Sequence, residues 1–143
     1  MAVRNADARW VGTLKEGKGN LKLGSGSFDG QYSFSSRFEE GTGTNPEELI
    51  GAALAGCYSM QLNVMLERNG TLPNYVHTVA KVNLGKNDAG QNAITQIDLL
   101  VEADVPNISH EDFQRVVTEA KSACLISRAL GAIPSININA TLK

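Results

Sequence analysis

Small or apolar residues recur at every second position early in the chain, and this period of two predicts β-strands. The first two strands contain Ala8, Trp10, Gly12 and Leu14, then Leu21 and Leu23, with a turn at residues 16–20 between them. After a turn at residues 24–27, a third strand is predicted to carry on one face Tyr32, Phe34, Ser36 and Phe38. Arg37 would point from the opposite face of that strand.

A long helix is predicted from Pro46 to Arg68. Asn45 is a favourable N-cap, and proline suits the first helical position. Two carboxylates in the first turn complement the positive end of the helix dipole. Residues 69–70 are Asn-Gly, a common stop signal, so the helix is expected to end there.

The first half of this helix lacks a polar face. Residues 49–60 are apolar or small on nearly every side, and a helix of this kind is expected to be buried. Glycine and alanine are abundant in the segment and permit close approach of another backbone. We therefore predict that it contacts another helix, which can belong to a partner subunit.

Alternation returns after the helix and predicts a hairpin. Its first strand contains Val76, Thr78, Ala80, Val82 and Leu84. A loop at residues 85–92 leads to a longer strand, which contains Thr95, Ile97, Leu99, Val101, Ala103 and Val105.

A second helix, a short helical turn and a final strand complete the predicted order. Ser109 caps the helix, and one of its faces contains Phe113, Val117, Ala120 and Cys124. The short turn covers residues 127–132, and the last strand contains Ile136, Ile138, Ala140 and Leu142. Because strands and helices do not alternate strictly, we predict an α+β fold in which sheet wraps around a long buried helix.

Size and charge narrow the possible functions. A chain of 143 residues, 42% of them hydrophobic, predicts a single domain over residues 1–143. The net charge of -2 gives no reason to expect a nucleic acid or an anionic membrane as partner. Residues 1–9 lack a signal-peptide core, and the uncharged apolar run at residues 49–60 is shorter than the ~18 residues of a membrane span. We therefore predict a cytoplasmic protein.

The two cysteines, Cys57 and Cys124, carry the predicted chemistry. Cytoplasmic thiols are held reduced, so disulfides there are usually transient and catalytic or sensing. Burial raises the pKa of a thiol, and a buried reactive cysteine therefore requires a cation near its sulfur. Arg37 is the best local candidate. Its own desolvation requires a carboxylate, which either Glu47 or Glu48 can supply.

Such a group of side chains suits the reduction of peroxides. The thiolate attacks one oxygen, the other departs as an alkoxide, and the guanidinium stabilises the developing charge. The resulting sulfenic acid condenses with a second thiol to form a disulfide. Buried cysteines also commonly serve as small core residues, so spacing alone leaves that alternative open. The cysteines and the two histidines contain no close-spaced ligand pair, and no metal site is expected.

One segment also carries a family resemblance. Residues 44–53, followed by Ala55-Gly56-Cys57-Tyr58-Ser59-Met60, closely resemble the OsmC (osmotically inducible protein C) branch of the OsmC/Ohr family. Further matches, in order along essentially the whole chain, are Trp10-x-Gly12, Gly17-Lys18-Gly19, Arg37-Phe38-Glu39 and Ala120-Lys121-x-x-Cys124-x-x-Ser127. Leu125 departs from the family, in which proline commonly follows the second cysteine. Without that proline the second helix is free to continue past Cys124.

The resemblance implies a thiol peroxidase that reduces organic hydroperoxides, and hydrogen peroxide less well. It implies an OsmC-like α+β fold with antiparallel sheets wrapped around long buried central helices. It also implies an intertwined homodimer with two active sites at the subunit interface. By position, Cys57 matches the peroxidatic cysteine and Cys124 the resolving cysteine. Arg37 matches the family's arginine and Glu47 its carboxylate partner. The family uses no metal, flavin or haem, and dithiols recycle its oxidised form, with lipoylated proteins the favoured donors.

Two other functions are compatible with the same fold. A binding module for a small hydrophobic ligand would keep its cysteines as core residues. A redox sensor would be oxidised without efficient recycling. Arg37 together with Glu47 favours the peroxidase, because a binding module has little reason to place an arginine–carboxylate pair beside a buried thiol.

Overall fold

The first of two units in the chain, Met1–Leu49, is built on a three-stranded antiparallel sheet. The computed structural model describes all 143 residues. Strand β1 (Ala6–Val11) pairs with β2 (Lys18–Leu23), which pairs with β3 (Asp29–Tyr32). Strands at these places were predicted, but the first turn begins earlier, at Gly12. Gly12 has a φ of 96°, a left-handed conformation that glycine adopts without strain.

Residues 34–38 form a short helix, α1 (Phe34–Phe38), where alternation predicted a strand. That prediction was wrong because local capping outweighs the period of two. The Ser36 N–H donates to Ser33 Oγ at 3.1 Å, and the Ser33 N–H donates to Ser36 Oγ at 2.8 Å, which is a capping box. Arg37 therefore lies on a helical turn and not on a strand.

Helix α2 (Pro46–Arg68) begins and ends where it was predicted. At its start, the Glu48 N–H donates to Asn45 Oδ1 at 2.8 Å, so Asn45 is the N-cap. At its end, Gly70 has a φ of 80°, the left-handed conformation that commonly follows a helix.

The second unit, Ile50–Lys143, contains most of α2 and a second three-stranded sheet. Strands β4 (Tyr75–Lys86) and β5 (Asn92–Asp104) form the predicted antiparallel hairpin. The hairpin loop is shorter than predicted because the pairing continues to Lys86 and Asn92.

The last strand of the chain pairs in parallel. After α3 (His110–Ala123) and α4 (Leu125–Ala129), strand β6 (Ser135–Leu142) lies beside β5 in the same direction. The expected antiparallel pairing is therefore corrected for β5 and β6 alone. The connection through the two helices is long enough to return the chain to the same end of the sheet. The α+β class itself is confirmed.

The core of the second unit lies between one side of α2, one face of the sheet and α3. The buried large apolar side chains of α2 recur every four residues and are Leu54, Tyr58, Leu62 and Leu66. The sheet contributes Ile97, Leu99, Val101 and Ala103, and α3 contributes Phe113, Val116, Val117 and Ala120. Each large apolar side chain buried in this way contributes about 1.5–3 kcal/mol of transfer free energy, which anchors α2 and α3 against the sheet.

The opposite side of α2 stays uncovered within one chain. Ala52, Ala53 and Gly56 are exposed, and Met60 is 76% exposed. The predicted burial of this helix on all sides is therefore not met by a single chain, and its contact with a second subunit stays a prediction. By length and composition alone, α2 could cross a membrane, but the core helix of a soluble protein passes the same test.

Candidate active site

Cys57 and Cys124 meet in the second unit. Cys57 is half-buried on α2, and Cys124 is fully buried directly after α3. The Cys124 thiol donates toward Cys57, with 3.1 Å between the two Sγ atoms, and both thiols are free. A disulfide bond is about 2.0 Å long, so an approach of roughly 1 Å would join the two sulfurs. Sequence spacing placed Cys124 on an inward face but did not show that the sulfurs meet.

The chain leaves its helical path at Cys124. This residue has φ -64° and ψ 121°, so α3 ends at Ala123 and α4 begins at Leu125. Leu125, in the position of the family's usual proline, therefore does not extend α3. The first N–H groups of any helix lack partners within it. Here those of Leu125 and Ile126 hydrogen-bond to the Cys57 sulfur.

These hydrogen bonds decide the ionisation of Cys57. Burial opposes the charged thiolate, but donation from the Ile126 N–H, the Cys124 thiol and the Leu125 N–H outweighs it. The pKa of the Cys57 thiol therefore lies below its ordinary value. Sequence reasoning missed these backbone donors because it considered only side chains. No residue type signals such donors, because every residue except proline has a backbone N–H.

Cys124 shows the opposite shift. Burial is the largest cause that raises the pKa of its thiol, and the neighbouring Cys57 sulfur raises it further. Hydrogen bonds from the N–H groups of Ser127 and Ile126 oppose the rise without cancelling it. When the pair loses one proton, these opposite shifts favour the negative charge on Cys57 and the remaining proton on Cys124.

We expect alkylation of Cys57 by iodoacetamide to reach half its maximal rate at a lower pH than the ~8.5 of an ordinary cysteine. Since the thiolate is the reacting form, a lowered pKa moves the profile toward acid. Cys124→Ala removes one donor and should move the Cys57 profile back toward alkaline pH. The measurement is the alkylation rate at Cys57 of the reduced protein, followed by mass spectrometry.

The control for this profile is Cys57→Ser, in which only Cys124 can react. Its profile is expected at higher pH than that of Cys57, because its thiol holds the proton. A Cys57 profile at or above that of an ordinary thiol would contradict the assignment of the charge.

Arg37 and Glu47 form an ion pair in the first unit. Arg37 Nη2 lies 2.7 Å from Glu47 Oε1, and Arg37 Nε lies 3.0 Å from the same oxygen. The Glu47 side chain is 9% exposed and that of Arg37 is 41% exposed. The residue pattern allowed either Glu47 or Glu48 to pair with Arg37. In the structure the partner of Arg37 is Glu47. Glu48 instead accepts a hydrogen bond from the Thr44 hydroxyl.

Two polar side chains hold α1 against the start of α2. Ser36 Oγ donates to the Thr44 carbonyl at 2.8 Å, and Asn45 Nδ2 donates to the Ser36 carbonyl at 3.1 Å. Because Arg37 follows Ser36 and Glu47 lies two residues after Asn45, these bonds bring the guanidinium to the carboxylate. The pairing depends on α1 being helical.

An aromatic cavity of about 240 Å³ lies beside Arg37 in the same unit. Its apolar lining consists of Trp10, Leu14, Tyr32, Phe34 and Phe38. The guanidinium carbon of Arg37 lies 5.1 Å from the centre of the Phe38 ring, a cation–π distance. Ser33 and Arg37 complete the lining, and Arg37 is its one charged donor, which suits a small molecule with an apolar body and an oxygen-bearing end.

The four predicted site residues thus fall into two pairs. Arg37 and Glu47 meet in the first unit, and Cys57 and Cys124 meet in the second. A three-part arrangement of carboxylate, guanidinium and thiolate stays a prediction. No group of three or more His, Cys, Asp or Glu side chains is placed to hold a metal ion.

Comparison with known proteins gives a consistent result. Residues 39–139 match the family described as OsmC-like protein. Peroxiredoxin OsmC of Escherichia coli (strain K12) is 45% identical over 130 residues, which cover 90% of this chain and 90% of that protein. Organic hydroperoxide resistance protein-like 1 of Staphylococcus epidermidis is 26% identical over 101 residues, which cover 70% of this chain and 71% of that protein.

Solved structures share the fold. The crystal structure of an OsmC-like protein from Mycoplasma pneumoniae superposes with a TM-score of 0.76 at 19% identity, covering 99% of this chain and 97% of that one. An OsmC-like protein of unknown function from Vibrio cholerae gives a TM-score of 0.79 at 17% identity, covering 99% and 100%. At these identities the likeness concerns the fold, and it confirms the predicted OsmC-like architecture.

Proposed function

Because this chain belongs to the OsmC-like protein family, we propose that it reduces organic hydroperoxides with Cys57 as nucleophile and Cys124 as resolving thiol. Its 45% identity to a peroxiredoxin over 90% of the chain makes it a thiol-dependent peroxidase. The single observation that supports these two roles best is the sulfur pair itself. Its members lie 3.1 Å apart, and the pKa of Cys57 is lowered while that of Cys124 is raised.

In the first step, the Cys57 thiolate attacks the terminal oxygen of the hydroperoxide. The O–O bond breaks, Cys57 becomes a sulfenic acid, and the organic group leaves as an alkoxide that takes up a proton to form the alcohol. The lowered pKa of Cys57 increases the fraction of thiolate, the form that acts as nucleophile.

In the second step, the Cys124 sulfur attacks Cys57. The S–O bond of the sulfenic acid breaks, a disulfide forms, and the hydroxide leaves with the Cys124 proton as water. The raised pKa of Cys124 keeps it protonated before the first step, so it does not compete for peroxide. The short distance between the sulfurs favours the second step over release of a long-lived sulfenic acid.

Arg37 is proposed to stabilise the departing oxygen, whether it acts on its own chain's thiol or on that of a second copy. Glu47 engages Nε and Nη2 of the guanidinium, while Arg37 Nη1 makes no hydrogen bond and keeps its donors available. The aromatic cavity beside Arg37 would take the apolar group of the hydroperoxide. Phe38 lines this cavity, whereas Tyr58 is buried in the core of the second unit.

Recycling is proposed to use a dithiol, with a lipoylated protein as the favoured donor. Cys124 is fully buried and Cys57 is half-buried, so an incoming thiolate reaches the sulfur of Cys57 first. A mixed disulfide forms on Cys57, and Cys124 leaves as a thiol. The second thiol of the donor then releases Cys57 and closes the donor's own disulfide.

We further propose that the protein works as a cytoplasmic homodimer. The uncovered side of α2, with Ala52, Ala53, Gly56 and Met60, offers small and apolar residues for close packing against a second copy. This part of the proposal rests on the family and on that helix face.

The proposed function is tested by a thiol count. One equivalent of cumene hydroperoxide added to the reduced protein should remove both free thiols, and dihydrolipoamide should restore both. A ligand-binding module would retain both thiols, which would contradict the proposal. A redox sensor would lose its thiols but recover them inefficiently, which would contradict the recycling step.

A further inference from the structure

We propose that Tyr58 is a positioning residue for disulfide formation, because its hydroxyl ties the helix carrying Cys57 to the helix that ends beside Cys124. The inference rests on the proposed roles of these two cysteines. Neither the spacing of the cysteines nor the arginine–carboxylate pair indicates a role for Tyr58 in the reaction.

One hydrogen bond forms this tie between α2 and α3. Tyr58 directly follows Cys57 in α2 and is fully buried. Its hydroxyl donates to the backbone carbonyl of Val117 in α3 at 2.9 Å. No other hydrogen bond joins a residue of α2 to a residue of α3. This hydrogen bond therefore connects the helix that carries Cys57 to the helix that ends directly before Cys124.

The position of Val117 along α3 explains how the tie can act on Cys124. Val117 and Cys124 are seven positions apart, lie on the same face of the helix, and are both buried. Between them the chain is helical to Ala123, and the Cys124 N–H still donates to the Ala120 carbonyl at 2.9 Å. Because a helical segment of this length moves as a rigid piece, holding Val117 also holds the Cys124 sulfur near Cys57.

Packing alone does not account for the hydroxyl. A phenylalanine ring would fill the same space, whereas burying a hydroxyl is unfavourable unless it is hydrogen-bonded. Apolar contacts leave two helices free to slide, while a directional bond specifies their relative position. Burial, and the nearby Cys124 sulfur to a lesser degree, raise the pKa of Tyr58, so the group remains a donor at working pH.

The test is Tyr58→Phe, which keeps the ring and removes only the donor. The reduced and oxidised forms are equilibrated in a dithiothreitol buffer, and the fraction of Cys57–Cys124 disulfide is measured by thiol labelling. We expect the equilibrium constant for the disulfide to fall about fivefold, the effect of one ordinary hydrogen bond. This corresponds to a reduction potential about 20 mV less negative.

The matched control is Tyr75→Phe, which removes an exposed tyrosine hydroxyl that hydrogen-bonds to Glu102 within the sheet and not to α3. It should leave the disulfide equilibrium unchanged. A merely structural loss at Tyr58 would lower thermal stability without shifting this equilibrium. An unchanged equilibrium for Tyr58→Phe, or an equal shift for both variants, would overturn the proposal.

A kinetic measurement separates this proposal from the proposed function. After one equivalent of cumene hydroperoxide, Tyr58→Phe should form its sulfenic acid at the wild-type rate and close the disulfide about fivefold more slowly. If the wild-type protein were not oxidised at all, the peroxidase assignment would fail. The equilibrium in dithiothreitol involves no hydroperoxide and would still decide the role of Tyr58.

Discussion

Replacement of Cys57 by serine is expected to lower the rate of hydroperoxide consumption by about a thousandfold or more. A serine hydroxyl in the same place remains protonated at neutral pH and cannot attack the O–O bond. The hydrogen bonds from Ile126 and Leu125 that favour the thiolate would then have no anion to stabilise. The measurement is the consumption of cumene hydroperoxide with excess dihydrolipoamide.

The matched variant is Cys124→Ser, which removes the second sulfur and leaves the first. It should still consume one equivalent of hydroperoxide and hold a sulfenic acid on Cys57, detectable by a dimedone-type reagent. Sustained turnover with the dithiol should be lost. Dithiol-supported turnover of Cys57→Ser at the wild-type rate would refute the mechanism.

Replacement of Arg37 by methionine is expected to slow the first oxidation of Cys57 by about a hundredfold to a thousandfold. Methionine keeps an unbranched stem against the Phe38 ring but removes the charge and all donors. The developing alkoxide would then lose the group proposed to stabilise it. The measurement is the pre-steady-state rate of thiol loss with cumene hydroperoxide, which isolates the first step from recycling.

Glu47→Gln separates positioning from charge stabilisation. It should reduce the rate less than Arg37→Met, because the guanidinium remains but loses its bidentate partner. The double variant should be no slower than Arg37→Met alone, since Glu47 acts only through Arg37. Arg37→Lys should fall between wild type and Arg37→Met because a lysine keeps the charge without the planar fork. Wild-type oxidation by Arg37→Met would remove the arginine from the mechanism.

The parts of the fold that sequence predicted well depend on local signals. The bounds of α2 follow from an N-cap, a proline at the first position and a glycine after the last turn, all within a few residues of the ends. The buried faces of β5 and α3 follow from their periodicity. These features need no knowledge of what the elements pack against.

The errors arose where two local signals conflicted or where pairing is non-local. At residues 32–38, Tyr32, Phe34 and Phe38 would share one face of a strand, but Phe34 and Phe38 are also four apart and share a helical face. The serine capping box decided in favour of the helix. For β6, alternation predicted a strand but carried no information about its direction relative to β5.

The site was only partly predictable for the same reason. The residue types of both pairs could be named, but the contact between Cys57 and Cys124 joins positions 67 apart along the chain. The donors that lower the pKa of Cys57 are backbone N–H groups, which every residue except proline has. They become visible only once the break between α3 and α4 is known.

The placement of the two thiols also has a thermodynamic consequence. Joining them would close a covalent ring that contains β4, β5 and α3. Cross-linking a ring of this size restricts the unfolded chain and favours folding by roughly 4 kcal/mol. The disulfide form is thus more heat-resistant than the dithiol form. When the temperature rises, oxidised molecules that have not yet been reduced remain folded longer than reduced ones.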